Sequence, residues 1–159
     1  MSGQFRVLMV CLGNICRSPT AEAVLRHKLH AFGLHNSVEV DSAGTYAGHA
    51  GMPPDLRSQR HALRRGYDLS GLRARRVVEA DFERFDLLLA MDEDNLADLQ
   101  RMRPEGSRAR LRLFAPVEVP DPYASGAAGF ERVLDLVEAA CDRLVHELAD
   151  EGARARGTS

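Results

Sequence analysis

Cys11 and Arg17 lie six positions apart in Val10-Cys11-Leu12-Gly13-Asn14-Ile15-Cys16-Arg17-Ser18-Pro19, and together they pair a nucleophile with an anion clamp. A thiolate attacks electrophilic phosphorus, and a thiol of ordinary pKa about 8.5 becomes one at neutral pH where a helix N-terminus or a cation faces it. The planar guanidinium of Arg17 matches two phosphate oxygens at once, a geometry that lysine lacks. Gly13 leaves the backbone room to curl around an anion. Attack by Cys11 leaves a covalent cysteinyl phosphate. Cysteine at a strand end is often only a small buried hydrophobe, but that reading leaves Gly13, Arg17 and Pro19 unexplained.

The elements on either side of this segment must position it. Arg6 to Val10 is a continuous apolar run and reads as a buried strand. Pro19 to Ala31, with Ala21, Val24, Leu25 and Leu29 at helical spacing, reads as an amphipathic helix. The segment is then a strand-to-helix loop, where free N–H groups and the positive end of the helix dipole converge on one point. Ser18 is placed as the N-cap and Pro19 at the first helical position. Further along, the pattern predicts strands over Val38 to Ser42, Phe85 to Met91 and Arg110 to Phe114. It predicts helices over Asp55 to Arg65, Asp92 to Met102 and about Gly129 to Leu148. This alternation argues for an α/β fold, a parallel sheet between helices, with ligands at the carboxyl ends of the strands.

Composition narrows the setting. The 159 residues, 45% hydrophobic and 28% charged, fit one domain over residues 1–151, with a flexible polar tail over residues 152–159. A net charge of -2 and a pI near 6.3 give no electrostatic case for nucleic acid or a membrane surface. No apolar run approaches the roughly 20 residues of a membrane helix, so the expected location is the cytoplasm. Three cysteines make no disulfide framework, and Cys11 and Cys16 have no partners at zinc-site spacing. No metal and no cofactor is expected. Cys141 falls on an apolar helix face and reads as core, while His27, His30, His35, His49, His61 and His146 are scattered and read as surface or polar-contact residues.

The loop resembles the signature of the low-molecular-weight protein tyrosine phosphatases. So do Asp41-Ser42-Ala43-Gly44-Thr45, Pro53-Pro54-Asp55, Phe85 through Asp92 and Pro120-Asp121-Pro122-Tyr123, in the family's order and approximate spacing. The resemblance implies a three-layer αβα sandwich with a four-stranded parallel sheet. It also implies a phosphate-binding loop of Leu12, Gly13, Asn14, Ile15, Cys16 and Ser18 around the catalytic Cys11 and Arg17. By the same resemblance Asp121 is the general acid, although Asp-Pro alone would read as a turn. Asn14 and Ser42 resemble the pair that braces the loop. Ser18 resembles the hydroxyl that stabilises the thiolate, a role compatible with capping. Cys16 resembles a backup thiol that forms a reversible disulfide with Cys11, against the plainer reading of a buried filler.

Two departures from the family pattern stand out. Leu72, in Ser70-Gly71-Leu72-Arg73-Ala74-Arg75, replaces a histidine that helps brace the loop asparagine, so a supporting hydrogen bond is expected to be missing. Gly48 stands where many relatives place a large aromatic, with Tyr46 near enough in sequence to replace it. Ala124 follows Tyr123 where a second aromatic is frequent. The substrate pocket is thus expected to be walled by Tyr46 and Tyr123 and to be open at the rim.

The activity implied is metal-free hydrolysis of phosphotyrosine in a protein that a tyrosine kinase has phosphorylated. Arginine phosphatases of the same family are the nearest rival, and they tend to carry threonine where Ile15 stands here. Arsenate reductases of this fold need further cysteines downstream, and none lies between Cys16 and Cys141. A phosphate-binding module without turnover is the alternative of a different kind, and it has no need of both a nucleophile and an acid.

Overall fold

The computed structural model describes residues 4–157. Four parallel strands, β1 (Phe5–Cys11), β2 (Val38–Gly44), β3 (Leu87–Ala90) and β4 (Arg110–Leu113), form one sheet in the order β2-β1-β3-β4. Its helices are α1 (Arg17–Ala31), α2 (Leu56–Arg64), α3 (Asp81–Arg84), α4 (Glu93–Met102) and α5 (Ala127–Gly157). The chain leaves β1 toward β2 on one side and reaches β3 on the other. The carboxyl end of β1 is therefore the point where strand order reverses and a crevice opens.

The period-two alternation of strand side chains divides the interior into two layers. Val7, Met9 and Cys11 of β1, with Val38 and Val40 of β2 and Leu87 and Leu89 of β3, face a core shared with α1 and α5. Leu8, Val10, Ala43, Leu88 and Ala90 face the other side, against Phe82 and Phe85 of the α3 region and Leu99 of α4. Each fully buried aliphatic side chain contributes about 1.5–3 kcal/mol, so the central strand is fixed firmly from both faces. On the edge strand β4, Arg110 and Arg112 alternate with Leu111 and Leu113, and these arginines discourage pairing with another chain.

Several elements differ from the sequence expectation. The third strand is shorter than Phe85 to Met91, because Phe85 closes the four-residue helix α3, which is too short to show a helical period. The last helix, expected to end near Leu148, continues to Gly157, so helix extends into the stretch assigned to a tail. Thr158 and Ser159 lie outside the described residues. The first half of α1 is not amphipathic: Arg17 through Leu25 are all buried, because this end of the helix is enclosed by the loop that precedes it and by α5. Cys141 is fully buried, as expected of a core residue, and burial pushes its thiol pKa up. Among the described residues no helix is long and apolar enough to cross a membrane.

Candidate active site

Cys11 ends β1, is only 2% exposed, and turns its Sγ toward two polar groups. The backbone N–H of Asn14 donates to Sγ at 3.3 Å, and the Ser18 hydroxyl lies 3.0 Å away. The Ser18 oxygen accepts a hydrogen bond from Asn14 Nδ2 at 2.8 Å, which leaves its own proton free to point at sulfur. This corrects the sequence reading of Ser18. The N-cap of α1 is Cys16, without a side-chain cap, and Ser18 sits inside the first turn. Pro19 is tolerated there because first-turn N–H groups have no helical partner.

The loop between β1 and α1 is bound from outside by its carbonyls. Thr45 N–H donates to Cys11 O at 3.0 Å, Tyr46 N–H to Leu12 O at 2.9 Å and Asp55 N–H to Ile15 O at 2.8 Å. In a trans peptide the C=O and the following N–H point opposite ways. The N–H groups of Leu12, Gly13 and Cys16 are thereby turned to the inner side of the loop, next to the uncapped start of α1, which together form a concave anion cradle.

Asn14 holds the loop's tightest bend. Its φ of 58° is the one positive value at a non-glycine among the described residues, a conformation asparagine tolerates better than most. Nδ2 donates to Ser18 and, at 3.0 Å, to Ser42 Oγ, while Oδ1 accepts from Arg75 N–H at 3.0 Å. Leu72 gives Asn14 no side-chain hydrogen bond, as expected. A backbone N–H three residues on satisfies Asn14, and Leu72 packs against the apolar core instead. Ser42 passes the support on by donating to Glu22 Oε1 at 2.6 Å. Glu22 is held in turn by Arg26, and burial raises its pKa despite the Ser42 and Arg26 contacts that oppose this. Gly44 permits the close approach of loop and sheet, since a Cβ there would stand 2.6 Å from Leu12 O.

Arg17 is only 2% exposed and its orientation is set in advance. Nη1 donates to Asp92 Oδ2 at 2.7 Å and to Val119 O at 3.0 Å, while Nη2 lies 3.7 Å from Asp121 Oδ2. Burial opposes its charge, but Cys11, Asp92 and Asp121 outweigh that and hold its pKa above the usual value. Asp92 also caps α4 through Oδ1, accepting from Asn95 N–H. Asp121 is the exposed member of the group, and its Oδ1 accepts Tyr123 N–H at 3.0 Å. Cys16 is buried beside Cys11. Desolvation, the largest of its influences, pushes its thiol up to about 12, so it is protonated at neutral pH.

Cys11, Arg17 and Asp121 open on one cleft of about 180 Å³, lined also by Leu12, Gly13, Ile15, Cys16, Tyr46, His49 and Tyr123. Tyr46 lines this cleft. Its ring lies across Gly48, where any Cβ would collide with it, and meets the His49 ring edge-on at 6.1 Å. His49 is a lining residue that sequence reasoning set aside with the other histidines. Gly13 makes room for it, since a Cβ at Gly13 would come within 2.9 Å of His49 Cδ2. Asp92, Glu22, Arg75 and His49 carried no assignment from sequence.

A thiol, an oriented guanidinium and a carboxylate thus open on one cleft. The family model described as low molecular weight phosphotyrosine protein phosphatase matches residues 6–154. The chain belongs to that family. It is accordingly a phosphatase of the protein-tyrosine-phosphatase type, a hydrolase using the family's cysteine chemistry, and its substrates are phosphoproteins. A low molecular weight protein-tyrosine-phosphatase of Bacillus subtilis is 40% identical over 152 residues, covering 91% of this chain and 96% of the relative. Among solved structures, a protein tyrosine phosphatase of Entamoeba histolytica, crystallised with Hepes in its active site, superposes with a TM-score of 0.88 at 39% identity, covering 92% and 98% of the two chains. A Drosophila arginine phosphatase superposes with a TM-score of 0.84 at 30% identity, covering 89% and 96%. The four-stranded parallel sheet of this low-molecular-weight phosphatase thus agrees with both the sequence expectation and the solved relatives.

Proposed function

We propose that this phosphatase hydrolyses phosphotyrosine in proteins, with Cys11 as nucleophile, Arg17 as phosphate clamp and Asp121 as general acid. The observation that carries the reading is the convergence on one cleft of a sulfur facing two polar groups, an arginine held ready by Asp92 and Val119, and a carboxyl at the mouth. In the first step a Cys11 Sγ–P bond forms, the bond from phosphorus to the tyrosine oxygen breaks, and Asp121 gives its proton to that oxygen. In the second step water attacks phosphorus and passes a proton to the Asp121 carboxylate. The S–P bond then breaks, and phosphate and the Cys11 thiolate are released. The loop N–H groups and Arg17 hold the equatorial oxygens throughout, and Asn14, Ser18 and Ser42 keep the loop in shape.

Substrate choice rests on the cleft walls. Tyr46 and Tyr123 line the cleft, and so does Ile15, an apolar branch where arginine phosphatases of this family tend to carry threonine. The reading includes a tyrosine kinase that supplies the substrate. It also includes a cytoplasmic setting, which three free cysteines favour.

The test is steady-state hydrolysis of phosphotyrosine, phosphoarginine and phosphoserine peptides in the presence of chelator, with Cys11→Ser as control. We expect turnover that is greatest on phosphotyrosine and absent from the variant. Preference for phosphoarginine would move the chain to that branch of the family, and no turnover on any peptide would leave a binding module.

A further inference from the structure

Arg57 lies outside the cleft lining, yet it joins the two segments that the proposed mechanism must keep in register. The connection begins at the phosphate loop, where Ile15 O accepts the Asp55 N–H at 2.8 Å. Asp55 is the N-cap of α2, accepting Arg57 N–H at 2.8 Å, and its carboxylate also takes the Arg57 guanidinium as a fork. Nε meets Oδ1 at 3.1 Å and Nη2 meets Oδ2 at 3.0 Å. The same Nη2 donates to Tyr123 O at 2.9 Å, and the guanidinium carbon lies 5.5 Å from the Tyr123 ring centre and 4.7 Å from that of Phe130. Tyr123 in turn donates its N–H to Asp121 Oδ1.

The segment 120–126 has few other ties. Val119 is fixed by its N–H to Met91 O and by Arg17, and beyond it the segment has the internal turn from Ser125 to Pro122 O and the Gly129 N–H on Gly126 O at the start of α5. The Asp121 carboxylate aside, Arg57 is the one side chain among the described residues that hydrogen-bonds this segment from another element. Removing it would free Tyr123 and, through the Tyr123 N–H, the carboxylate that must meet the leaving oxygen.

We propose that Arg57, fixed by Asp55, is a positioning residue that sets the distance of Asp121 from the reacting phosphoryl group. The inference rests on the reading of Asp121 as general acid. Geometry rather than charge carries the effect, because the Arg57 side chain is 40% exposed and its field is screened by solvent. A misplacement of about an ångström can cost up to about a hundredfold where a proton must be handed over. The loss should appear only where the leaving oxygen needs the proton.

The experiment measures kcat/KM of the full chain and of Arg57→Ala on a series of small aryl phosphates whose leaving phenols range from strongly to weakly acidic. Small substrates exclude contacts between Arg57 and residues flanking a phosphotyrosine. We expect about a tenfold loss for phenyl phosphate and less than about a twofold loss for a dinitrophenyl phosphate, so that the dependence on leaving-group acidity steepens. In an Asp121→Asn background, Arg57→Ala should change kcat/KM by less than about twofold, since the two act through one proton. An equal loss across the series, no loss, or losses that simply add in the double variant would overturn the proposal. If Asp121→Asn alone leaves the leaving-group dependence unchanged, the acid assignment fails and the positioning role fails with it. Loss of Cys11 dependence would instead reject the nucleophile reading.

Discussion

Arg17→Lys lowers kcat/KM on a phosphotyrosine peptide by about a thousandfold or more, although it keeps the positive charge. The reason is geometric. Nη1 is committed to Asp92 and Val119 O, and this commitment fixes the plane in which Nη2 and Nε can serve a phosphate. A lysine ammonium that satisfies Asp92 offers no second, coplanar pair of donors to two oxygens. The arginine contributions known in phosphoryl transfer and oxyanion stabilisation are of the order 10² to 10⁵, and a clamp whose orientation is set before substrate arrives belongs well inside that range. Inhibition by phosphate-like oxyanions should weaken in parallel, because they use the same cradle. Thermal unfolding of the variant should be measured beside the kinetics, since Arg17 is buried. A loss under about tenfold would mean that charge alone suffices and that the Asp92 contact is only structural.

Asp121→Asn slows hydrolysis of phenyl phosphate by about two to four orders of magnitude, the usual scale of a general acid. An amide keeps the Tyr123 N–H contact through its oxygen but has no proton to give to a phenolate. The position is exposed, so the fold should be unaffected. The proton matters less as the leaving phenol becomes more acidic. For a dinitrophenyl phosphate the loss should shrink toward the part that Asp121 contributes as base in the second step. Rates across a leaving-group series check this directly, and an Asn variant with native rates on phenyl phosphate would remove Asp121 from the mechanism.

The parts of the site that could be read from sequence are those the chain writes locally. Cys11, Gly13, Arg17 and Pro19 sit in one short loop, and the apolar run before it and helical spacing after it locate that loop on a strand end. Asp121 was reached through family resemblance, since Asp-Pro by itself marks a turn. Asp92 and Glu22 received no role at the site because acidic residues at helix starts or on helix faces are too common to signal a partner. Arg57 and His49 lie far along the chain from Cys11, and nothing local marks either as its neighbour. Ser18 was misplaced as a cap because the residue type that caps helices is also the type that hydrogen-bonds a thiolate. The Arg75 N–H that meets Asn14 Oδ1 could not be read from sequence, because a backbone N–H is present at every residue but proline. Both core layers follow from strand alternation in Val7 to Cys11 and Leu87 to Ala90, whereas the order β2-β1-β3-β4 is written in no single strand and α3 is too short for any period to appear.

The most direct test is to quench the phosphatase in acid during turnover of a phosphotyrosine peptide and map the phosphoryl group by peptide mass. A cysteinyl phosphate on Cys11, formed within the first turnover and absent from Cys11→Ser, is the result expected. A phosphoryl group on any other residue, or sustained turnover with no covalent intermediate at Cys11, would contradict the mechanism.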